Sequence, residues 1–196
     1  MRTVAIVLAA GKSSRMGSNK LLLPFNGRTV LENTLDALKG VTTVVVTGHN
    51  QEELEEVLSG YSVEVVYNPR HEEGMTTSFQ AGLRALDADA VFLVLGDQVG
   101  LDRRMLSAMV QVMMEDEDAV MVSLRYGERR GHPVLFRRSL FYEILRLKPG
   151  ESLRDVVTRH EEGHRYVEGD VWTVIDMDTP EEYEAARKLW SLTGRG

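Results

Sequence analysis

The amino-acid sequence predicts an α/β fold, a mostly parallel β-sheet with helices on both faces. Three observations support this prediction. Apolar runs of strand length alternate with helical patterns along nearly all of the 196 residues, as in sheets built from β-α-β units. The first run, residues 4–8, consists of five apolar residues, which is typical of a strand buried on both faces. A loop of small and basic residues follows it, and open α/β sheets bind phosphorylated ligands at such loops.

Length and composition are those of an ordinary globular protein. A chain of 196 residues with 43% hydrophobic and 27% charged residues fits one domain, residues 1–196, that buries roughly 70% of its unfolded surface. No apolar run approaches the roughly 18 residues of a membrane span, and Met1-Arg2-Thr3 leads directly into a strand. We therefore expect no signal peptide, no membrane contact and a cytoplasmic location.

Charge and cysteine content exclude several classes of function. The chain has no cysteine, which excludes disulfides and thiolate metal sites. Its formal net charge of −7 argues against a general nucleic-acid binder, which would carry a basic face. A single nucleotide is still a possible ligand, because it needs only a local group of cations.

The first half of the chain alternates strands with helices. Thr29 and Asn50 are suitable helix N-caps, Gly40 is a suitable helix end, and Asn68-Pro69 closes a strand. We expect strands at 4–8, 42–47, 62–67 and 90–95, and helices at about 29–38, 50–58, 75–86 and 101–114.

The second half is less regular. Residues 125–131 form a polar turn between two apolar runs, and so short a connection permits only antiparallel pairing. Thr179-Pro180, followed by acidic residues, opens a terminal helix. The expected elements are strands at 119–124, 134–136 and 171–175, and helices at 139–147, 152–160 and 179–192.

The loop after the first strand carries Lys12, Arg15 and Lys20, three cations within nine positions. It is not a P-loop, because the glycine required five residues before Gly11-Lys12-Ser13 falls on Ile6. It is not the dinucleotide-binding G-x-G-x-x-G either, because Gly11 and Gly17 stand six apart without a third glycine. Residues 8–24 read L-A-A-G-x-S-x-R-M-G-x-x-K-L-L-L-P.

This motif resembles the signature of the MobA-like nucleotidyltransferases of molybdenum cofactor synthesis, and is most similar to their cytidylyltransferase branch. The resemblance implies a three-layer α/β/α, Rossmann-like domain, the fold of nucleotide-diphospho-sugar transferases. Its seven-stranded sheet would have one antiparallel strand, and the turn 125–131 is the natural place for that reversal. The implied activity is Mg²⁺-dependent transfer of a nucleoside monophosphate from an NTP, with CTP favoured over GTP. The implied acceptor is a phosphate group, with molybdopterin favoured, and pyrophosphate is released.

Asp97 is the first candidate metal ligand. Gly96-Asp97-Gln98 follows the apolar run 90–95, so Asp97 is expected at the sheet edge where the basic loop lies. A carboxylate opposite cations suits Mg²⁺ bound together with phosphates. The segment is similar to the family's G-D-x-P, with Val99 in place of the proline. The structural alternative is an aspartate in a tight turn.

A second carboxylate is expected from the segment 174–180. It resembles the family's D-x-D-T-P-E-D, with Glu182 in place of the last aspartate. Asp176 and Asp178 project to one face if the preceding strand continues that far. We prefer Asp176 as the metal ligand, because Asp178 also suits helix capping, and Asp170 is a weaker alternative.

Three further segments resemble family motifs. Asn68-Pro69 with the segment 74–78 matches N-P-x(4)-G-M-x-x-S, where a loop meets a helix N-terminus that favours an anion or a polar base edge. An ordinary N-cap is the alternative. Gly131-His132-Pro133 is similar to the G-H-P near the acceptor, although a lone histidine is more often structural. Pro149 to Arg154 matches G-D-x-G-A-R only loosely, since Glu151 and Leu153 depart from it.

The resemblance implies roles for specific residues. Arg15, Lys20 and Asp97 would be catalytic, Asp97 and Asp176 would bind Mg²⁺, and His132 and Arg154 would bind the acceptor. The nucleotide would be bound by Leu8, Ala9, Ala10, Gly11, Lys12, Ser13, Ser14, Arg15, Lys20, Gly74, Met75 and Ser78.

Two other functions are compatible with the sequence. One is an NTP transferase for a sugar phosphate or another alcohol phosphate. The other is a regulatory module that binds nucleotide or pterin without turnover, which the joint presence of Arg15, Lys20 and Asp97 disfavours. The expected partners are small molecules, with a transient contact to a molybdoenzyme or its chaperone, and no nucleic acid or membrane. The oligomeric state stays open.

Overall fold

The structure, a computed structural model, describes residues 1–12, 16–49, 51–148 and 150–193. Its strands are β1 (Thr3–Ala9), β2 (Pro24–Phe25), β3 (Arg28–Thr29), β4 (Thr42–Thr47), β5 (Glu64–Tyr67), β6 (Ala90–Leu95), β7 (Met121–Tyr126), β8 (Arg129–Arg137) and β9 (His164–Glu168). Its α-helices are α1 (Val30–Ala37), α2 (Gln51–Ser59), α3 (Met75–Arg84), α4 (Arg103–Glu115), α5 (Phe141–Leu145), α6 (Leu153–Arg159) and α7 (Pro180–Thr193). Short 3-10 helices occur at Lys20–Leu22, His71–Glu73, Arg138–Leu140, Glu161–Gly163 and Val171–Val174.

Seven strands form one sheet in the order β5-β4-β1-β6-β8-β7-β9. Among the described strands of this sheet, only β8 runs against the others, pairing antiparallel with β6 and β7. The remaining pairs, β1 with β4 and β6, β4 with β5, and β7 with β9, are parallel. The predicted seven-stranded, mostly parallel sheet with one antiparallel strand is confirmed.

Helices cover both faces of the sheet, as predicted for three α/β/α layers. Ala5 and Val7 of β1 belong to a buried cluster that includes apolar residues of α1, α2, α4 and α7. Val4 and Ile6 belong to a second cluster with residues of α3, α5 and α6. Alternate residues of β1 thus enter opposite cores, which is why the strand is apolar throughout. Helix α3 lies close to β1, since a Cβ on Gly82 would stand 2.7 Å from Ile6 Cγ2.

The prediction that residues 171–175 form the last strand is wrong. Residues Val171–Val174 form a 3-10 helix, because the Asp170 side chain accepts a hydrogen bond from the Trp172 backbone N–H at 2.9 Å. Trp172 is buried and its ring lies edge-on to Phe25 and Trp190, with centroid distances of 6.3 and 4.9 Å. Trp172 therefore packs against helix α7 and the β2-β3 pair, and the segment adds no strand to the sheet.

Strand β9 was not predicted, and the hairpin turn is shorter than expected. β9 is an edge strand that pairs with β7 alone, and its charged residues hide the apolar alternation of a strand, as is common at sheet edges. β7 extends to Tyr126 and β8 begins at Arg129, so most of the predicted turn 125–131 is strand. The reversal of direction does occur within it.

The helix starts follow from local hydrogen bonds. Thr29 caps α1 as predicted: its Oγ1 accepts from the Glu32 N–H at 3.2 Å, and its own N–H donates to the Glu32 carboxylate at 2.7 Å. Asn50, the predicted cap of α2, lies outside the described residues. None of the helices in the described part of the chain combines the length and apolar character that a membrane crossing requires.

Candidate active site

A cleft of about 420 Å³ opens at the carboxyl edge of the parallel strands. Ten of its lining residues are among those that the sequence singles out: Leu8, Ala9, Ala10, Gly11, Lys20, Gly74, Met75, Ser78, Asp97 and Asp176. The other lining residues are Asp178, which the sequence offers as the alternative to Asp176, and Leu21, His71 and Leu95, which it does not single out. The predicted ligands Ser13, Ser14 and Arg15 lie outside the described residues.

Lys20 joins two carboxylates inside the cleft. Its Nζ lies 2.5 Å from Asp97 Oδ2 and 2.6 Å from Asp178 Oδ1. Burial by itself would lower the pKa of Lys20, but the two carboxylates outweigh that effect and raise it above its ordinary value. Lys20 is therefore a fixed cation at neutral pH.

The local fold around Lys20 explains its position. Lys20–Leu22 form a 3-10 helix, and the Asn19 side chain caps it by accepting from the Leu21 N–H at 3.2 Å. Leu21 is buried in the core, which fixes the backbone beside Lys20. Asp97 follows β6 in a turn whose Gln98 N–H donates to the Leu95 carbonyl at 3.1 Å.

Asp178 is the carboxylate that shares a cation with Asp97. Because residues 171–175 are not a strand, the argument that placed Asp176 and Asp178 on one strand face fails. Asp176 lines the cleft with its side chain 72% exposed, and its carboxylate lies 4.0 Å from Arg129 Nη2. Asp170, the third alternative, caps the 3-10 helix.

Capping of α7 does not occupy the Asp178 carboxylate. Glu182 accepts hydrogen bonds from the N–H groups of Asp178 and Thr179 at 2.9 and 3.0 Å, and its own N–H donates to Thr179 Oγ1 at 3.2 Å. The helix start is thus satisfied by Thr179 and Glu182. The Asp178 carboxylate lines the cleft instead.

The start of α3 forms another wall of the cleft. Gly74 stands at the N-cap with φ of 104°, in the left-handed region, and no side chain caps the helix. Asn68 Nδ2 donates to Thr77 Oγ1 at 3.1 Å and to Ser78 Oγ at 3.0 Å. Asn68 therefore ties the end of β5 to the first turn of α3. Met75, 48% exposed, stands at the mouth.

Lys12 connects the basic loop to the turn after β5. Its Nζ lies 2.5 Å from Glu72 Oε1, and both side chains are about half exposed or more, at 48% and 66%. This pairing holds a predicted phosphate ligand at the rim of the site. A surface ion pair of this kind is weak and exchanges readily for a stronger anion.

Neither of the predicted acceptor ligands, His132 and Arg154, is among the residues that line the cleft. Burial lowers the pKa of His132, and the nearby carboxylates of Asp97 and Asp176 only partly oppose this effect, so the ring is neutral. Its Nδ1 is buried and has no hydrogen-bond partner among the described residues. Arg154 is exposed on α6 and is not a lining residue.

The donor set fits a divalent cation that binds together with phosphates. Within residues 1–12, 16–49, 51–148 and 150–193, no cluster of three or more histidine or acidic side chains could hold a metal ion by itself. Asp97 and Asp178 nevertheless converge on one cation position, the Lys20 ammonium. One or two carboxylates completed by ligand phosphates and water are the usual protein contribution to a Mg²⁺ site.

A doubly wound sheet with a lysine between two carboxylates at its carboxyl edge suits an enzyme that transfers nucleotidyl groups. The chain belongs to the family of MobA-like NTP transferase domains, whose model matches residues 5–165. The family resemblance of the sequence motif is thereby confirmed. Members of this family act on nucleoside triphosphates and use divalent metals.

Proteins that match this chain over nearly the whole length of both chains support the assignment. The chain is 26% identical to molybdenum cofactor cytidylyltransferase of Escherichia coli K12, over 95% of this chain and 96% of that protein. It is 30% identical to purine catabolism protein PucB of Bacillus subtilis 168, over 96% and 97%. The crystal structure of Rv0371c from Mycobacterium tuberculosis H37Rv superposes with a TM-score of 0.84 at 27% identity, over 95% of this chain and 98% of that one. A structure of the same mycobacterial protein is a complex with manganese.

Asp178 was predicted only as the alternative to Asp176, because it also suits helix capping. Leu21 and Leu95 read as core residues in the sequence. His71 had one signal, an ionisable side chain inside the x(4) spacer of the N-P-x(4)-G-M motif. No role in the site was predicted for the residues of that spacer.

Proposed function

We propose that the protein transfers the cytidylyl group of CTP to the phosphate of a pterin acceptor, molybdopterin, and releases pyrophosphate. The observation that carries the proposal is the Lys20 ammonium held between Asp97 and Asp178 in the cleft beside the basic loop. The Escherichia coli relative, a molybdenum cofactor cytidylyltransferase by name, supports the choice of nucleotide and acceptor.

The strand order suggests how the substrates lie. Residues at this edge follow the strands across the sheet, with His71 after β5, Gly48 after β4, Ala10 after β1 and Asp97 after β6. Three strand spacings of about 4.8 Å separate the two ends, or roughly 14 Å. This span accommodates a base at the β5 side, a ribose over β1 and the reacting phosphates at β6. The acceptor would then approach from β8, where His132 lies.

Ala10 and Met75 line the proposed base end of the cleft. Ala10 is 6% exposed, and a Cβ built on Gly48 would lie 2.9 Å from the Ala10 methyl carbon. Met75 adds a flexible apolar wall. A pyrimidine, smaller than a purine, suits this space better, which favours CTP over GTP.

The reaction needs no covalent enzyme intermediate. An oxygen of the acceptor phosphate attacks the α-phosphorus, a new P–O bond forms, and the bond to the β-phosphate oxygen breaks. Pyrophosphate leaves with that electron pair, so the protein contributes alignment and charge neutralisation. Lys20 would donate hydrogen bonds to the α-phosphate oxygens, and Arg15 with the N–H groups of residues 11–14 would hold the β- and γ-phosphates.

Asp97, with Asp178 or Asp176, would hold Mg²⁺, which when bound neutralises charge on the phosphates. His132, buried and neutral, would accept or donate a hydrogen bond on the acceptor side. Lys12 would exchange Glu72 for an outer phosphate oxygen. Each of these residues acts by position and charge.

Pyrophosphate release tests the proposal. CTP, GTP, ATP and UTP would each be incubated with Mg²⁺ and with molybdopterin, a sugar 1-phosphate, another alcohol phosphate or no acceptor. We expect the fastest release with CTP and molybdopterin, and background release without an acceptor. Release only with the sugar or alcohol phosphate would establish the alternative transferase. Nucleotide binding without release under any condition would contradict an enzymatic role.

A further inference from the structure

His71 is a cleft residue that the proposed mechanism does not use. It begins the 3-10 helix His71–Glu73 after β5 and lines the cleft together with the loop that follows β1. Its N–H donates to the Asn68 carbonyl at 3.2 Å, and its carbonyl accepts from the Gly74 N–H at 3.3 Å. The backbone on both sides of His71 is thus tied to the N-P and G-M segments.

The ring of His71 has a fixed place over the end of β4. A Cβ on Gly48 would lie 2.6 Å from His71 Cβ and 2.8 Å from His71 Cγ, closer than atoms approach without displacement. The same Cβ would lie 2.9 Å from the Ala10 methyl carbon. His71, Gly48 and Ala10 therefore form one continuous wall across three adjacent strands, and the absence of a side chain at Gly48 makes room for the imidazole.

The two ring nitrogens of His71 differ in environment. Nδ1 is buried and has no hydrogen-bond partner among the described residues. Adding a proton there would bury an N–H without an acceptor, which is costly. An imidazole with one ring proton therefore carries it on Nε2, the nitrogen that is not enclosed, and Nε2 is a hydrogen-bond donor.

We propose that His71 is a specificity-determining residue that donates a hydrogen bond from Nε2 to an acceptor atom on the base of the bound nucleotide. This inference rests on the proposed function, because it uses the base position assigned there. A hydrogen-bond donor suits a base edge, and the α-phosphate would lie about three strand spacings away near Lys20, on the order of 14 Å. Cytosine offers O2 and N3 as acceptors.

Equilibrium binding of two probes separates base recognition from a structural role. CTP carries the base and ribose 5-triphosphate lacks it, so calorimetric titration of both isolates the contribution of the base. In His71→Phe, which keeps a ring against Gly48, we expect CTP affinity to fall about tenfold, the effect of one hydrogen bond. Ribose 5-triphosphate affinity should change by less than about twofold. His71→Gln places an amide N–H near the position of Nε2 and should recover most of the loss.

His49 provides the matched control. Its ring centroid lies 6.0 Å from that of His71, but the side chain is exposed and does not line the cleft. His49→Phe should bind both probes as the wild type does. Equal losses for both probes in His71→Phe, no loss for CTP, or the same effect in His49→Phe would overturn the inference.

Pyrophosphate release with CTP, measured on the same wild-type and variant proteins, distinguishes the two proposals. If the variants behave as expected in binding but no acceptor supports release, base recognition by His71 stands and the transferase proposal fails. If the wild type releases pyrophosphate and His71→Phe keeps wild-type CTP affinity, only the inference about His71 fails. A wild type that binds CTP no better than ribose 5-triphosphate also overturns it.

Discussion

Lys20 occupies a place between two carboxylates that would also attract a metal ion, and its ammonium group would attract a substrate phosphate. The side chains of Lys20 and Asp97 are 20% and 17% exposed, and that of Asp178 is 37% exposed, so water screens the pair with Asp97 less than an ordinary surface pair. The group carries one positive and two negative charges. A ligand must therefore compensate both Lys20 and the carboxylates when it enters.

Asp97→Asn should keep the fold and lower turnover by roughly a thousandfold. An amide fits the turn, but it loses the charge needed for Mg²⁺. Steady-state kinetics at several Mg²⁺ concentrations check this, with circular dichroism as the test of folding. Asp178→Asn and Asp176→Asn are the comparisons, and we expect the larger loss for Asp178 because it contacts the same cation as Asp97. Normal activity of Asp97→Asn at low Mg²⁺ would remove Asp97 from the mechanism.

Replacing the two lysines should affect different kinetic constants. Lys20→Ala should lower kcat more than nucleotide affinity, because negative charge on the α-phosphate oxygens grows toward the transition state. Lys12→Ala, at the exposed rim, should mainly raise KM for the nucleotide. Initial-rate measurements over a range of CTP concentrations separate the two effects. The opposite pattern would show that the assigned roles are exchanged.

At the scale of elements, the sequence predicts correctly those strands and helices that are determined by residues within the same stretch of chain. β4 and β6 lie at the predicted residues 42–47 and 90–95, because a short run of β-branched or apolar residues between breakers has few alternatives. Helix α1 follows its predicted N-cap Thr29, because the capping box is formed by Thr29 and Glu32, only three residues apart. Residues 171–175 and β9 depend on distant partners: Trp172 packs on rings from other elements, and β9 is a strand only because β7 lies beside it. For this reason His71 was missed as a site residue, and Asp178 was ranked below Asp176 as a metal ligand.

His164 on β9 should make the fold sensitive to acid. Its side chain is 2% exposed, and its Nε2 lies 2.8 Å from Ser123 Oγ. Burial lowers the pKa of His164 to about 4, Glu161 partly opposes this, and Arg130 and Arg165 add to it. Between pH 6.5 and 4 the unfolded chain binds a proton that the folded chain does not, so stability falls as pH falls through that window.

Urea unfolding at pH 7 and pH 4.5 measures this effect. We expect the wild type to lose on the order of 2 kcal/mol more than His164→Gln between these values. Glutamine can keep a hydrogen bond to Ser123 but does not titrate. His49→Gln, at an exposed position, should behave as the wild type. Equal losses in the wild type and His164→Gln would contradict the assignment of acid sensitivity to His164.

At the scale of the whole molecule, the order of the strands distributes the proposed tasks along the cleft. The base would lie against residues from β1, β4 and β5, whereas the reacting phosphates would lie near β6 and the start of α7. No single element contains either part. Nucleotide choice is therefore expected to depend on the assembled wall around Ala10.

Ala10→Gly should reduce the preference for CTP. We expect the wild type to favour CTP over GTP by at least about tenfold in kcat/KM, or roughly 1.4 kcal/mol at the transition state. Removing the methyl carbon widens the base end and should shrink this ratio without creating an efficient GTP enzyme. Kinetics with both nucleotides on both proteins decide the point. A wild-type preference for GTP would refute the cytidylyl assignment, and an unchanged ratio would refute the role of Ala10.

The spacing of the strands has a consequence for combining substitutions. His71 and Asp97 follow strands that are three positions apart in the sheet, beyond the roughly 7–10 Å within which mutational effects couple. Changes in free energy from the base end and from the phosphate end should therefore sum in a double variant. If the base lies where we propose, changes at His71 and Ala10 should alter the nucleobase preference and leave the contacts of Lys20 with Asp97 and Asp178 in place.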